Sequence, residues 1–264
     1  MLPVYLPAVT SVRFGFIRRI VALACLFSMM AAASLPAQVT AGASPGLNAA
    51  LVRLFGGVTG FTAQLELRMV DTNGVETLNA PMKFSLLDGK MRGDLDVTKL
   101  KSKDLPALAA SAAGSVGMDH VITLVRPDKQ ETYLLYPKFQ ACVVAPLDKE
   151  DMAALKQPAK LDKTPLARET LDGHPCIKHR VVVTEPDGRK HTATVWSATD
   201  LKEFPVQIQT VDDGDTILMR FRQVKFERPA AKDFDLPAGT TKYSDAKDLA
   251  QAAVKRFLSD ALGK

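Results

Sequence analysis

The sequence contains few of the residues on which disulfide and metal chemistry depend. Its 264 residues include only three cysteines and four histidines. Three thiols exclude a disulfide-dense small domain and a four-thiolate zinc site, and four histidines leave little room for a multi-metal enzyme. The spacing of these residues shows no nucleophile with its base. We therefore predict no metal, no cofactor and no enzymatic activity.

Aromatic residues and net charge are also scarce. Phe, Trp and Tyr make up 6% of the chain, there is a single Trp, and the formal charge is +5. No stripe of Lys and Arg interleaved with aromatic residues is present, so nucleic acid is not an expected partner. With 47% hydrophobic and 24% charged residues, the composition is typical of a globular protein.

The longest apolar run lies near the N-terminus, from Ile20 to Ala33, and follows Arg13, Arg18 and Arg19. A basic region, a short apolar stretch and then small residues are typical of a secretory signal peptide. The run is shorter than the roughly 20 residues that span a bilayer. We therefore predict a signal peptide over 1–37, cleaved somewhere in 33–43, and a mature chain without a transmembrane span. An uncleaved anchor is the alternative.

The predicted destination is the periplasm or another exported location. Because the leader removes three Arg and no acidic residue, Lys and Arg fall from 34 to 31 against 29 acidic residues. The mature chain is therefore close to neutral. Cys25 belongs to the leader, which leaves two cysteines in the mature chain.

From Phe61 the period of hydrophobicity becomes two. Apolar residues alternate with polar ones as far as Met69, and a second stripe runs through Met82, Phe84 and Leu86. This pattern predicts half-buried strands with one solvated face. Further strands are predicted over 90–97, 120–126, 131–136, 139–145, 177–184, 190–197, 205–211 and 216–226. Short gaps, several with Asp-Gly turns, favour antiparallel hairpins.

Helical spacing appears in four places. It predicts helices over 45–55, 105–113, 147–156 and 245–262, the last with one broad apolar face. The first is expected to end at Gly56-Gly57. We find no linker that divides the mature chain, so residues 44–264 are expected to form a single α+β domain.

The order of these patterns resembles the outer-membrane lipoprotein-sorting superfamily, with its LolA/LolB-like fold. The resemblance rests on six stretches, which lie at 61–68, 82–92, 128–137, 169–178, 195–206 and 234–243. It is greatest to the branch that carries only a domain-of-unknown-function label. The resemblance implies a curved antiparallel sheet, an unclosed half-barrel, with helices packed on the concave side and an apolar cavity between them.

In this superfamily such cavities hold the acyl chains of lipids or lipoproteins, so a lipid or lipoprotein is the implied ligand. Candidate cavity-lining residues form the inward stripe: Phe61, Leu65, Leu67, Met69, Met82, Phe84 and Leu86. Carriers of the LolA type also have an Arg inside the cavity, for which Arg68 and Arg92 are candidates only by position; the alternative is that either one simply faces solvent. The alternative is a structural or protein-interaction module of the envelope, with a filled core and no ligand.

Cys142 and Cys176 allow one disulfide in an oxidising compartment, provided that their Cα atoms come within about 7 Å. The alternative is two separate small apolar side chains. Cys176 also lies between His174 and His179. On a strand, Cys176 and His179 point to opposite faces, which argues against both a metal site and a Cys/His nucleophile there.

Overall fold

The computed structural model describes residues 53–103, 107–147, 160–184, 188 and 190–262. The predicted leader, most of the predicted helix at 45–55, and all but the first residue of the predicted helix at 147–156 lie outside the described residues. Of the predicted first helix, Arg53 and Leu54 are helical, and the turn at Gly56-Gly57 ends it as expected.

Thirteen strands within these ranges form one sheet. They are β1 (Gly60–Val70), β2 (Glu76–Leu87), β3 (Lys90–Asp96), β4 (Lys101–Ser102), β5 (His120–Arg126), β6 (Glu131–Tyr136), β7 (Ala141–Pro146), β8 (Lys160–Leu171), β9 (His174–Thr184), β10 (Lys190–Ala198), β11 (Phe204–Asp212), β12 (Asp215–Lys225) and β13 (Thr241–Tyr243). The helices are α1 (Ala107–Ser115) and α2 (Ala246–Ala261), and single 3₁₀ turns lie at Val97–Lys99, Thr199–Leu201 and Ala231–Phe234. Neither helix is long and apolar enough to cross a bilayer.

The strand order is β13-β7-β6-β5-β3-β2-β1-β12-β11-β10-β9-β8, with the short β4 beside β2. Among the described strands, every pairing is antiparallel except that of β13 with β7. Because β13 and β8 do not pair with each other, the sheet stays open. The predicted unclosed antiparallel half-barrel of α+β class is confirmed, and the one parallel pair is an addition that the sequence patterns did not indicate.

The face that carries the main core is here called the inner face. On β1 the odd-numbered residues from Phe61 to Met69 point to it, and register pairs Phe61 with Leu86 and Leu65 with Met82 on β2. The predicted period-two stripe is therefore buried, as expected. Helix α2 closes one end of this face, because its Leu249 and Ala253 pack into the same core beside β7.

The opposite, outer face carries a second, smaller core over β5, β6 and β7. Its buried residues are Ile122, Leu124, Tyr133, Leu135 and Cys142. Residues 227–240, here called the strap, run from β12 to β13 and place Leu236 against this cluster. Tyr133 and Tyr136 point to opposite faces, as strand parity predicts, and both are buried because both faces are covered.

Strand β8 was not predicted. Its twelve residues are almost all exposed, so no alternation of apolar and polar residues marks it. It lies at the edge of the sheet, where Pro165 and an irregular register after it are tolerated. The prediction failed here because the signal used to find strands is burial of one face, which this edge strand lacks.

Candidate functional site

A pocket of about 470 Å³ opens at the end of the sheet where β1 and β11 begin and β12 ends. Its lining consists of the turn before β1, one residue of β8, the β10–β11 turn and the chain that leaves β12: Leu54, Phe55, Gly56, Gly57, Val58, Thr59, Gly60, Lys163, Lys202, Glu203, Phe226 and Arg228. The volume lies within the range of about 300–1,000 Å³ that is usual for small-molecule sites. The pocket is therefore large enough to admit a ligand.

The floor of the pocket is the aromatic centre of the inner core. Phe55 is 2% exposed, and its ring lies 4.8 Å from that of Phe61 and 5.4 Å, stacked, from that of Phe204. Phe84 and Phe221 complete this five-ring cluster, with centroids 6.1 and 5.5 Å from Phe55. Phe55 thus belongs both to the pocket wall and to the core beneath it.

Two glycines form the flexible part of the wall. Gly56 has φ +63°, in the left-handed region that favours glycine, and its amide donates to the carbonyl of Arg53 at 2.9 Å. A Cβ at either Gly56 or Gly57 would meet no atom within 4 Å. No other side chain therefore packs against these two glycines at the positions where a Cβ would lie.

The rim of the pocket carries charges from distant parts of the chain. Lys202 lies with its Nζ 5.2 Å from the centroid of the Phe226 ring, in cation–π contact. Arg228 donates to Asp88 at 2.5 Å and to Thr59 at 3.1 Å. Lys163 comes from β8 and Glu203 from the β10–β11 turn. The rim is thus polar and mainly cationic above an aromatic floor.

The β10–β11 turn holds its two rim residues in an unusual backbone conformation. Lys202 and Glu203 have φ of +56° and +57°. These two residues end the 3₁₀ turn Thr199–Leu201, and Lys202 is its left-handed C-cap. Six other non-glycine residues in the described ranges also have positive φ, so this conformation is not particular to the pocket.

The seven residues predicted to line a cavity all lie on the inner face. Six of them are buried, namely Phe61, Leu65, Leu67, Met69, Phe84 and Leu86, and Met82 is half-buried. None of the seven is part of the pocket lining described above. Of the seven, Phe61 and Phe84 pack against Phe55 of the pocket wall, and the role of all seven as ligand contacts stays a prediction.

Neither arginine proposed for the cavity lies on the inner face. Arg68 is on the outer side of β1, where it donates to Glu76 at 2.5 Å. Arg92 donates to Asp94 at 2.7 Å and to the carbonyl of Asp233 in the strap. Both have the strand parity opposite to the inner stripe, which is why the positional expectation was wrong.

A buried arginine that sequence reasoning missed lies under the strap. Arg126 is 6% exposed and donates to Asp128 at 2.7 and 2.8 Å, to the carbonyl of Phe234 at 2.6 Å and to Asp235 at 2.8 Å. This guanidinium lowers the pKa of Asp128 to about 2 and also lowers the pKa of Asp235. The sequence signal for this buried arginine was the nearly continuous apolar run of β5, on which Arg126 lies. Such a run indicates a strand that is buried on both faces.

Cys142 and Cys176 are free and lie far apart in the sheet. Cys142 lies on β7 in the outer cluster, and Cys176 lies on β9 in the inner core. Burial raises the pKa of both thiols. The disulfide that the count allowed is therefore not formed, and the alternative of two separate apolar side chains describes them.

The histidines near Cys176 do not assemble a metal or catalytic site. His174 lies 2.8 Å from Asp200 through its Nδ1, at an exposed position, while His179 and His191 pair with Val195 and Val183 across the β9–β10 ladder. No group of three or more His, Cys, Asp or Glu with metal-binding geometry occurs in the described ranges.

No protein-family model matches this sequence, and no curated protein matches it. Among solved structures, the lipoprotein LppX of Mycobacterium tuberculosis matches at 12% identity and a TM-score of 0.37, over 72% of this chain and 98% of that one. A LolA superfamily protein from Nitrosomonas europaea matches at 10% identity and 0.35, over 69% and 93%. The MucA/MucB complex of Pseudomonas aeruginosa matches at 13% and 0.36, over 73% and 62%.

The half-barrel architecture itself is read from the strand order and register of this chain.

Proposed function

We propose that this protein is exported and binds an apolar ligand, such as a lipid or the acyl chain of a lipoprotein, in its half-barrel. One observation carries the proposal: the pocket at the sheet end and the phenylalanine cluster of the inner face share a single side chain, Phe55. A ligand in the pocket therefore touches the outermost ring of the apolar core.

In this proposal the pocket is the entrance and the inner stripe is the wall of the loaded site. Phe55 covers Phe61 and Phe84 in the structure, so the stripe becomes accessible when the segment 53–58 swings outward. Gly56 and Gly57 have open space on the pocket side, which leaves room for such a movement. The seven stripe residues would then contact the ligand.

The energetics permit this exchange. Movement of the segment 53–58 exposes both Leu54 and Phe55, which are buried in the structure. Exposing these two side chains costs about 3–6 kcal/mol, whereas each methylene of a ligand gains roughly 0.8 kcal/mol on burial. About four to eight buried methylenes therefore offset the displacement. Longer acyl chains leave a surplus for binding, and short apolar molecules do not.

The experiment begins with protein purified from its own host. Native mass spectrometry followed by lipid extraction is expected to recover a stoichiometric lipid. Gly57→Trp tests the location, because Gly57 lacks the left-handed φ of Gly56 and a large side chain there would fill the pocket mouth. Gly57→Ala is the matched control, since a single methyl group meets no neighbour.

The uncharged fluorescent probe N-phenylnaphthylamine reports binding to the purified protein. We expect the wild type and Gly57→Ala to bind it and to release it on addition of a fatty alcohol, and Gly57→Trp to bind it at least ten-fold more weakly. Equal binding by all three proteins would remove the pocket from the proposal.

A second function is favoured by a different observation. The five-ring cluster fills the centre of the inner face, as expected of an envelope structural or protein-interaction module with no ligand. For such a module the protein would be recovered empty from its host and would not bind the neutral probe. A protein partner would then remain to be found by co-purification.

A further inference from the structure

We propose that the pocket selects a single-chain amphiphile with an anionic headgroup, which is held by Lys163 and Lys202 at the rim while the alkyl chain lies on Phe226 and Phe55. This inference rests on the proposed apolar-ligand function and adds the charge of the headgroup. It depends on three features of the rim: the balance of charge, the anchoring of the β10–β11 turn, and the position of Lys202 relative to Phe226.

The charge balance at the rim favours an anion. Three cations, Lys163, Lys202 and Arg228, line the pocket with one acidic residue, Glu203. Asp88, outside the lining, neutralises Arg228 through their contact at 2.5 Å. Within the described part of the chain, no carboxylate forms an ion pair with Lys163 or Lys202. The ammonium groups of Lys163 and Lys202 are therefore the rim cations that would bind an anionic oxygen of a ligand.

The β10–β11 turn is anchored to the core. Lys202 and Glu203 follow the 3₁₀ turn Thr199–Leu201. The next residue, Phe204, is buried in the five-ring cluster, so the turn is fixed to the core. Lys202 is thereby held at the rim of the pocket.

The ring of Phe226, which also lines the pocket, lies beneath the ammonium group of Lys202. Lys202 Nζ is 5.2 Å from the Phe226 centroid, and Phe226 also packs edge-on against Phe204 at 5.7 Å. An alkyl chain that lies on Phe226 therefore ends with its head beside Lys202. Lys163 and Lys202 are both exposed, so the discrimination between headgroups is expected to be that of solvated ion pairs and to weaken as salt is added.

Four ligands with the same twelve-carbon chain separate charge from apolarity: dodecanoate, dodecyl phosphate, dodecanol and dodecyltrimethylammonium. Calorimetric titration into the delipidated full-length protein is expected to show both anions binding roughly ten-fold more tightly than dodecanol, as charge-assisted hydrogen bonds allow. The cation is expected to bind most weakly. Inorganic phosphate is the fifth ligand, because it has the charge without the chain.

The double variant Lys163→Gln/Lys202→Gln should reduce the affinity for dodecanoate to that for dodecanol and leave dodecanol unchanged. Lys101→Gln is the control, because Lys101 is an exposed lysine on β4 that does not line the pocket. An unchanged affinity for dodecanol in the double variant shows that the protein remains folded and the pocket open.

The outcomes distinguish this inference from the function on which it rests. Equal affinities for dodecanoate and dodecanol would overturn the anionic headgroup and leave apolar binding intact. Failure of all four chains to bind would overturn both. If inorganic phosphate binds as tightly as dodecyl phosphate, the site is an anion site without a chain, and the proposed amphiphile is wrong.

Discussion

Phe55 is the side chain on which both the core and the pocket depend, and its truncation gives the sharpest test of the structure. Phe55→Ala removes a ring that is 2% exposed and packs against four others, three of them with centroids within 5.5 Å. Truncation of a buried phenylalanine costs about 3–5 kcal/mol, through lost burial and the cavity left behind. We expect a loss near 4 kcal/mol.

Urea unfolding measures this loss, and the protein has a built-in reporter. Trp196 is the single tryptophan, is 6% exposed, and donates its Nε1 hydrogen to Glu169 at 2.8 Å. Its fluorescence should change once, on unfolding of the sheet. With a urea dependence of about 2 kcal/mol per molar, the midpoint is expected to fall by roughly 2 M.

Phe257→Ala is the matched control, because this phenylalanine on α2 is 45% exposed. Its truncation is expected to change the free energy of unfolding by about 0.5 kcal/mol. If Phe55→Ala costs no more than Phe257→Ala, Phe55 does not fill the five-ring cluster, and the assignment of the pocket floor is wrong. Because Phe55 also lines the pocket, Phe55→Ala is further expected to extend the pocket towards Phe61 and Phe84.

Three further predictions follow from the turn, the strap and the thiols. Glu203→Gly should raise the free energy of unfolding by about 0.5–1 kcal/mol, since glycine adopts φ +57° without strain; a lower melting temperature would contradict this. Arg126 holds the pKa of Asp128 at about 2, below its usual value, so the folded state binds fewer protons than the unfolded state and stability should fall from about pH 4 towards pH 2. Arg126→Met should cost about 1–3 kcal/mol at pH 7 and flatten that acid limb in urea titrations, whereas an unchanged limb would show that the strap is not held by this arginine. Cys142 and Cys176 should react slowly with iodoacetamide in the native protein and rapidly in urea without reductant, as peptide mass mapping would show; a linked peptide pair would refute the free thiols.

Much of the sheet was predictable because burial leaves a pattern in the sequence. The strands at His120–Arg126 and Glu131–Tyr136 were predicted with the bounds that the structure shows. The inner stripe of β1 was assigned to the correct face. In each case one face of the strand is covered and the residues alternate accordingly, or both faces are covered and the strand reads as an apolar run.

Elements without burial were not found. Strand β8 has no apolar face, and β13 is three residues long and joins β7 in parallel. Long-range pairing of this kind leaves no local periodicity. The strap was not recognised for the same reason, since its interactions with Arg92 and Arg126 bridge more than 100 residues of chain.

By itself, then, the sequence determined which residues turn inward on each central strand and where most hairpins turn, whereas the half-barrel was what the resemblance to a known superfamily implied. Hydrophobic periodicity carries that information locally. The pocket was decided only by the tertiary structure. Phe55, Lys163, Lys202 and Phe226 come from four separated segments, and only the pairing of the strands and the turn before Phe204 bring aromatic rings and two lysines together. No local pattern records a meeting of residues so far apart in the chain.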